Sequence, residues 1–217
     1  MSEANHCKKI VNLIRENLRE VLDLRNEFET KSDGSFVSRG DLLVQTIVYD
    51  YIKVALPEYE LISEELAPFG STSWNPHGSY VVLDPIDGTE NFVSGLKEWG
   101  VGISIYLDGH HRQSCIYLPE LDDVQISGDG IRRFKSRIYG LSSSLDKNNL
   151  SQLPEGFEFR IIGCSMYNML SAVRGSFATF ENVKGVNCWD ILPGLNLALE
   201  HGCTVEVDGA PYSGEIL

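Results

Sequence analysis

Tyr80-Val81-Val82-Leu83-Asp84-Pro85-Ile86-Asp87-Gly88-Thr89 is the stretch on which the reading of this chain turns. An apolar run of strand length delivers a carboxylate at its end, and Pro85, which cannot donate to a ladder, is expected to stop the strand there. A second carboxylate follows at Asp87. Gly88 allows close backbone approach, and Thr89 adds a hydroxyl. Two carboxylates on one stiff turn can share a hard divalent cation, and the amides of Gly88 and Thr89 can face an anion. Asp, Pro and Gly are equally the residues of an ordinary turn, so this stretch alone leaves both readings open.

Other acidic residues extend the first reading. Ser63-Glu64-Glu65 follows a short apolar run, and Trp189-Asp190 opens an apolar helical pattern. If Glu64, Asp84, Asp87 and Asp190 converge, each pair 4 Å apart repels by about 4 kcal/mol at an effective dielectric of 20. Such a cluster needs cations or raised pKa values. Oxygen-only ligands select Mg²⁺ over Zn²⁺.

The flanking chain reads as alternating helices and strands, an α/β or α+β layered pattern. Ile10, Ile14, Leu18, Val21 and Leu22 follow one helical face, with Glu3 and Asn5 at its start. A loop-rich stretch with a hairpin turn at Asp33-Gly34 leads to a second helix from Asp41, with Leu43, Ile47, Tyr51 and Val54 inward and Pro57 beyond its end. A strand over 59–62 precedes a polar loop carrying Pro68, Gly70, Pro76 and Gly78. Residues 101–107 and 115–118 form a hairpin across Asp108-Gly109. Residues 119–136 read as a solvated hairpin, with the basic cluster Arg132, Arg133, Lys135 and Arg137 at its end. Beyond it come strands over 138–142, 159–162, 177–180 and 203–207. Between them lie a helix capped by Ser165 and closing at Gly175, and one capped by Asp190 and closing at Gly202, with Pro193 in its first turn. The division expected is an N-terminal half, 1–137, carrying most of the acidic residues, and a C-terminal half, 138–217, carrying Asp190.

Composition bounds the function. The chain has 217 residues, 42% hydrophobic and 23% charged, an ordinary globular balance. Its net charge of −13 argues against a nucleic-acid polymer or an anionic membrane as partner. No apolar run approaches the roughly 18 residues of a membrane span, and the first residues carry no apolar leader. Five cysteines without a CxxC pair read as reduced thiols in a cytoplasmic protein. Arg39-Gly40-Asp41 spells an adhesion tripeptide and Asn149-Leu150-Ser151 a glycosylation sequon, but neither has meaning without secretion. The histidines lack metal-site spacing, and no GxxxxGK[ST] loop or GxGxxG is present.

Ser63-Glu64-Glu65, the block Asp84-Pro85-Ile86-Asp87-Gly88-Thr89-Glu90-Asn91-Phe92 and Trp189-Asp190-Ile191-Leu192-Pro193-Gly194 together resemble the signature blocks of the inositol monophosphatase family, the Mg²⁺-dependent, lithium-sensitive phosphatase superfamily. The likeness runs from about Lys31 to about Gly209 and weakens in the middle. It implies a layered αβαβα sugar-phosphatase fold with the metal site between two halves. It implies two or three Mg²⁺ ions, held by Glu64, Asp84, the carbonyl of Ile86, Asp87 and Asp190. Asp41, Thr89 and Glu64 are implied to position the metal-activated water. Asp87, Gly88, Thr89, Gly163, Cys164, Ser165 and Asp190 are implied to contact substrate, the backbone of Cys164 mattering rather than its sulfur. A homodimer is the family expectation.

The chain departs from the family pattern in four places. Val183 stands where inositol-type enzymes carry an acidic residue, with Glu181 out of register. Pro193-Gly194 follows the tryptophan–aspartate pair in place of Gly or Ala-Gly. The middle hairpin is shortened, and Leu217 falls before the family's usual end. The reading is a Mg²⁺-dependent phosphomonoesterase acting on a small phosphorylated polyol or sugar. The alternatives are a 3′(2′),5′-bisphosphate nucleotidase and, from another class, a catalytically weak binding or regulatory homologue.

Overall fold

The computed structural model describes residues 5–66, 75–151 and 153–216. Glu3, Pro68, Gly70 and Leu217, named above, lie outside them. Helix α1, His6–Glu16, starts at the Asn5 side chain, which accepts the Lys8 amide at 2.9 Å. The single helix expected through Leu22 is two. At Asn17 (φ −101°, ψ 4°) the path breaks, the side-chain amide donates to Leu13 O at 2.8 Å, and α2, Leu18–Asp23, begins. An asparagine offers the backbone an alternative partner in this way, which is why it interrupts helices.

The hairpin β1, Phe28–Thr30, and β2, Phe36–Ser38, turns at Gly34 with φ +88°, as the Asp33-Gly34 pair predicts. Helix α3, Arg39–Ala55, begins two residues before the expected Asp41, because Ser38 and Asp41 form a capping box. Its buried face is Val44, Val48 and Ile52. Leu43, Ile47 and Tyr51 pack only partly against the core, and Val54, predicted inward, is 86% exposed. The buried stripe lies one residue on from the predicted one, where α3 packs on the core.

The large sheet has the order β3-β4-β5-β6-β7, from Glu60–Ser63, Tyr80–Asp87, Gly100–Leu107, His110–Leu118 and Asp123–Ile126. The β3/β4 pair is parallel and the others antiparallel. Pro85 does not end β4. The register with β5 shifts between Asp84 and Asp87, which pair with Gly102 and Gly100, so two residues oppose one and a bulge absorbs the proline. Helix α4, Thr89–Val93, follows at once. The Asp108-Gly109 turn has both residues at positive φ. The solvated hairpin expected over 119–136 is instead a single strand, β7, added to β6. Of the basic cluster behind it, Arg133 donates to the Val173 and His201 carbonyls.

The second sheet is parallel, in the order β10-β8-β9: Ile138–Leu141 is β8, Glu158–Ile161 is β9 and Thr179–Glu181 is β10. Helix α5, Lys147–Ser151, leads from β8 into β9. Helix α6, Ser165–Val173, joins β9 to β10, and its N-cap is Cys164, one residue before the expected Ser165. Helix α7, Cys188–Glu200, is capped by Asn187, with Asp190 at its third position and Pro193 one turn deeper than predicted. Of the predicted 203–207 strand only β11, Glu206–Val207, forms, paired with β12, Ala210–Pro211.

Helices α1 to α3 cover one face of the large sheet. Helices α6 and α7 cover the other, with α6 also touching β8 and β10. This is the layered α/β arrangement expected. No described helix is long and apolar enough to cross a membrane. A buried polar knot fixes α7 on the sheet: the Asn196 amide donates to Tyr106 OH at 2.7 Å, and Tyr212 OH donates to Asn196 Oδ1 at 3.1 Å. Asn196→Leu keeps the volume but takes the amide donor from Tyr106 OH, while Tyr212 OH keeps the Glu215 carbonyl at 2.7 Å, so urea unfolding is expected to show a loss of about 1–3 kcal/mol.

Candidate metal centre

Three elements bring carboxylates to one point. Strands β3 and β4 run parallel with Ser63 opposite Leu83, so Glu64, just past the end of β3, comes beside Asp84, where the bulge of β4 begins. The capping box of α7 orients Asp190, whose Oδ2 accepts the Asn187 amide at 2.8 Å. One oxygen each from Glu64, Asp84 and Asp190 lies within 4.8 Å of the others.

Asp84 is the most constrained of the three. It is 1% exposed, and neither carboxylate oxygen has a hydrogen-bond partner. Burial, then the charges of Asp87, Glu64, Asp190 and Asp41, raise its pKa well above the ordinary carboxylate range. Burial and Asp87 push Asp190 up to about 7. One cation approaches: Lys31 Nζ, from the β1–β2 hairpin, donates to Glu64 Oε1 at 2.8 Å and Glu65 Oε1 at 2.7 Å. Two orphaned buried oxygens within an all-oxygen acidic set fit a hard divalent cation, which would supply the missing charge.

Behind this cluster, Asp41 is fully buried. Its Oδ2 accepts the Ser38 amide at 2.8 Å and the Ser38 hydroxyl at 2.5 Å. Burial pushes its pKa up to about 7 despite those bonds. Thr89 Oγ1 stands 3.3 Å from Asp41 Oδ1 and 2.9 Å from Ile86 O. The Ile86 carbonyl therefore has a protein donor in this structure. With Gly40 and Asp41 both buried, the Arg39-Gly40-Asp41 tripeptide is not displayed.

Asp87 faces another way. Its Oδ2 accepts the Met166 amide at 2.5 Å and the Cys164 thiol at 3.0 Å, at the start of α6. Burial raises its pKa to about 6 against these bonds. The sulfur of Cys164 is thus engaged within the protein, and it also accepts the Tyr167 amide at 3.3 Å. Burial and Asp87 push the thiol pKa well up, the reverse of the lowering a helix start produces. Gly163-Cys164-Ser165 packs on Gly88, whose φ is +82°. A Cβ at Gly88 would lie 3.1 Å from Cys164 Cβ and 3.2 Å from Gly163 O. Sequence reasoning gave no role to Asn91, whose amide bridges Glu98 O at 2.7 Å and Ile162 O at 2.8 Å and so ties α4 to the strand end before α6. Its place inside the aspartate-rich block was the available signal. Glu181, near Val183, is exposed and accepts the Tyr139 hydroxyl at 2.6 Å, apart from the cluster.

The model of the inositol monophosphatase family matches residues 3–138. The chain belongs to the inositol monophosphatase family. Among its relatives, an inositol-1-monophosphatase of Mesorhizobium japonicum is 25% identical, over 82% of this chain and 75% of that protein. The Nus factor SuhB of Escherichia coli is 28% identical, over 71% of this chain and 56% of that protein. The fold is that of a staphylococcal inositol monophosphatase solved as a lithium-soaked inhibitory complex, with a TM-score of 0.82 and 17% identity, covering 96% of this chain and 84% of that one. Solved proteins of this fold include one complexed with Mg²⁺ and phosphate and one with bound Ca²⁺. Membership in the inositol monophosphatase family, with the acidic cluster, supports a phosphatase dependent on divalent metal.

The raised carboxylates set a sign for pH. Asp41, Asp87 and Asp190 bind protons more tightly folded than unfolded. Their stabilising contribution is therefore present below about pH 4 and lost as pH rises through about 6 to 7. Asp84→Asn removes one repelling charge. Without divalent ions it is expected to melt above the parent, by about 2–4 °C per kcal/mol relieved. The gap should grow from pH 5 to pH 8 and close when Mg²⁺ is added to the parent.

Proposed function

We propose that the chain is a Mg²⁺-dependent phosphomonoesterase acting on a small phosphorylated polyol or sugar. The observation that carries this reading is Asp84, a buried carboxylate without a donor, held beside Glu64 and Asp190. Glu64, Asp84 and Asp190 would hold one ion, and Asp84, Asp87 and Asp190 a second; divalent ions bound there would offset the phosphate charge and lower the pKa of a water at the site.

The protein groups supply position. Thr89, fixed between Asp41 and the Ile86 carbonyl, orients the attacking water. Glu64 stands ready to take its proton. The amides of Gly88 and Thr89 receive the phosphate oxygens, and the Gly163–Ser165 backbone closes the far side. Asp190, from the opposite wall, meets the leaving alcohol. In-line phosphoryl transfer needs mainly this positioning and charge neutralisation, so no covalent nucleophile enters. Val183, apolar where an acidic contact would hold inositol hydroxyls, favours an alcohol other than inositol, and a 3′(2′),5′-bisphosphate nucleotide is the nearest substitute. The relative named Nus factor SuhB motivates a second reading, a regulatory homologue in which catalysis is weak.

Phosphate release distinguishes these readings. The panel holds inositol 1-phosphate, fructose 1,6-bisphosphate, adenosine 3′,5′-bisphosphate and sugar phosphates, in Mg²⁺ with and without Li⁺. The expected result is Mg²⁺-dependent turnover of one substrate, suppressed by Li⁺ and reduced about a hundredfold or more in Asp84→Asn. Silence across the panel, with Mg²⁺ still raising the melting temperature, marks an intact site for a substrate outside the panel, and silence with no Mg²⁺ response favours the regulatory reading. Turnover that survives chelation contradicts the metal-dependent one.

A further inference from the structure

The start of α6 carries a side chain whose contacts exceed what a helix cap requires. Cys164 Sγ accepts the Tyr167 amide at 3.3 Å. That bond commits the sulfur's acceptor side and leaves its single hydrogen for Asp87 Oδ2, 3.0 Å away. The Met166 amide donates to the same oxygen at 2.5 Å. Both donors sit on Oδ2, and the Ser165 amide adds to the hold of α6 on the same carboxylate. The segment is held in register from outside: Asn91 grips Ile162 O, and Gly88 leaves room for the Cys164 Cβ and the Gly163 carbonyl. Cys164 is 1% exposed and is not placed to react with solvent.

The geometry points to Cys164 as a positioning residue. Its thiol, with the Met166 amide, holds one oxygen of Asp87 on α6, so the second metal position, the one that takes Asp87, depends on this thiol while the Glu64–Asp84–Asp190 position does not. The inference rests on the metal reading above, but not on the identity of the substrate. Partners that orient a ligating carboxylate commonly govern metal affinity as strongly as the ligand's own neighbours in the chain.

The test is Mn²⁺ binding to the full chain, followed by the electron paramagnetic resonance of free Mn²⁺, with no substrate or phosphate present. Cys164→Ala removes the donor, whereas Cys164→Ser keeps both a donor and an acceptor at the cap. Expected is a weaker Mn²⁺ class that loses about tenfold or more in affinity in Cys164→Ala, with the tighter class unchanged, and recovery in Cys164→Ser to within about twofold. The same split in a protein silent on the phosphate panel still supports the inference, since no turnover is read. Equal affinities in Cys164→Ala and the parent overturn it. Equal losses in the alanine and serine variants also overturn it, because they mark the sulfur as packing. A parent chain that binds no Mn²⁺ overturns both this inference and the metal reading.

Discussion

A carboxylate buried at a bulge within a strand, with no hydrogen bond to either oxygen from the described residues, is the constraint around which this molecule is arranged. Asp84 is surrounded by Glu64, Asp87, Asp190 and Asp41, all of like charge, and no donor among the described residues meets it. An ionised group in that position is unfavourable unless a cation joins it or a proton neutralises it. The parallel β3/β4 pair brings Glu64 and Asp84 to this point, and the capping box of α7 brings Asp190. The fold therefore concentrates negative charge, which among the described residues only Lys31 meets, at the Glu64 edge. Ion binding and stability are coupled through that arrangement.

The site also joins the parts of the chain. Asp84, Asp87, Gly88 and Thr89 come from one turn, but Asp190 arrives from α7 and the donors to Asp87 from α6. Asn91 links the two sides through backbone carbonyls rather than through charge. The β1–β2 hairpin brings Lys31 to Glu64, and Asp41 at the start of α3 supports Thr89. Displacing any of these elements moves a charged or hydroxyl group relative to Asp84. Positioning of this kind is what phosphoryl transfer asks of a protein.

Much of this was legible in the sequence, and the misreadings have physical causes. The strand before Asp84 and the turns at Gly34 and Asp108-Gly109 follow from local chemistry, so short-range rules found them. The misplaced boundaries came from side chains that act on the backbone. Asn17 broke a helix, Ser38 with Asp41 moved a start, and Cys164 and Asn187 took caps assigned to Ser165 and Asp190. Pro85 was accommodated by a bulge that depends on the partner strand, which a local pattern does not contain. The convergence of Asp190 with Asp84, and the turning of Asp87 toward α6, are tertiary facts. Residue types and the family likeness suggested the first, while the second depends on a thiol whose role no spacing encodes.

The central claim is that Glu64, Asp84 and Asp190 form a preformed position for a hard divalent cation. The most direct measurement is anomalous diffraction from crystals of the chain soaked in Mn²⁺ with inorganic phosphate. The account predicts an anomalous peak in contact with carboxylate oxygens of all three residues, absent from crystals of Asp84→Asn. No peak at those residues, or one that persists in Asp84→Asn, contradicts it.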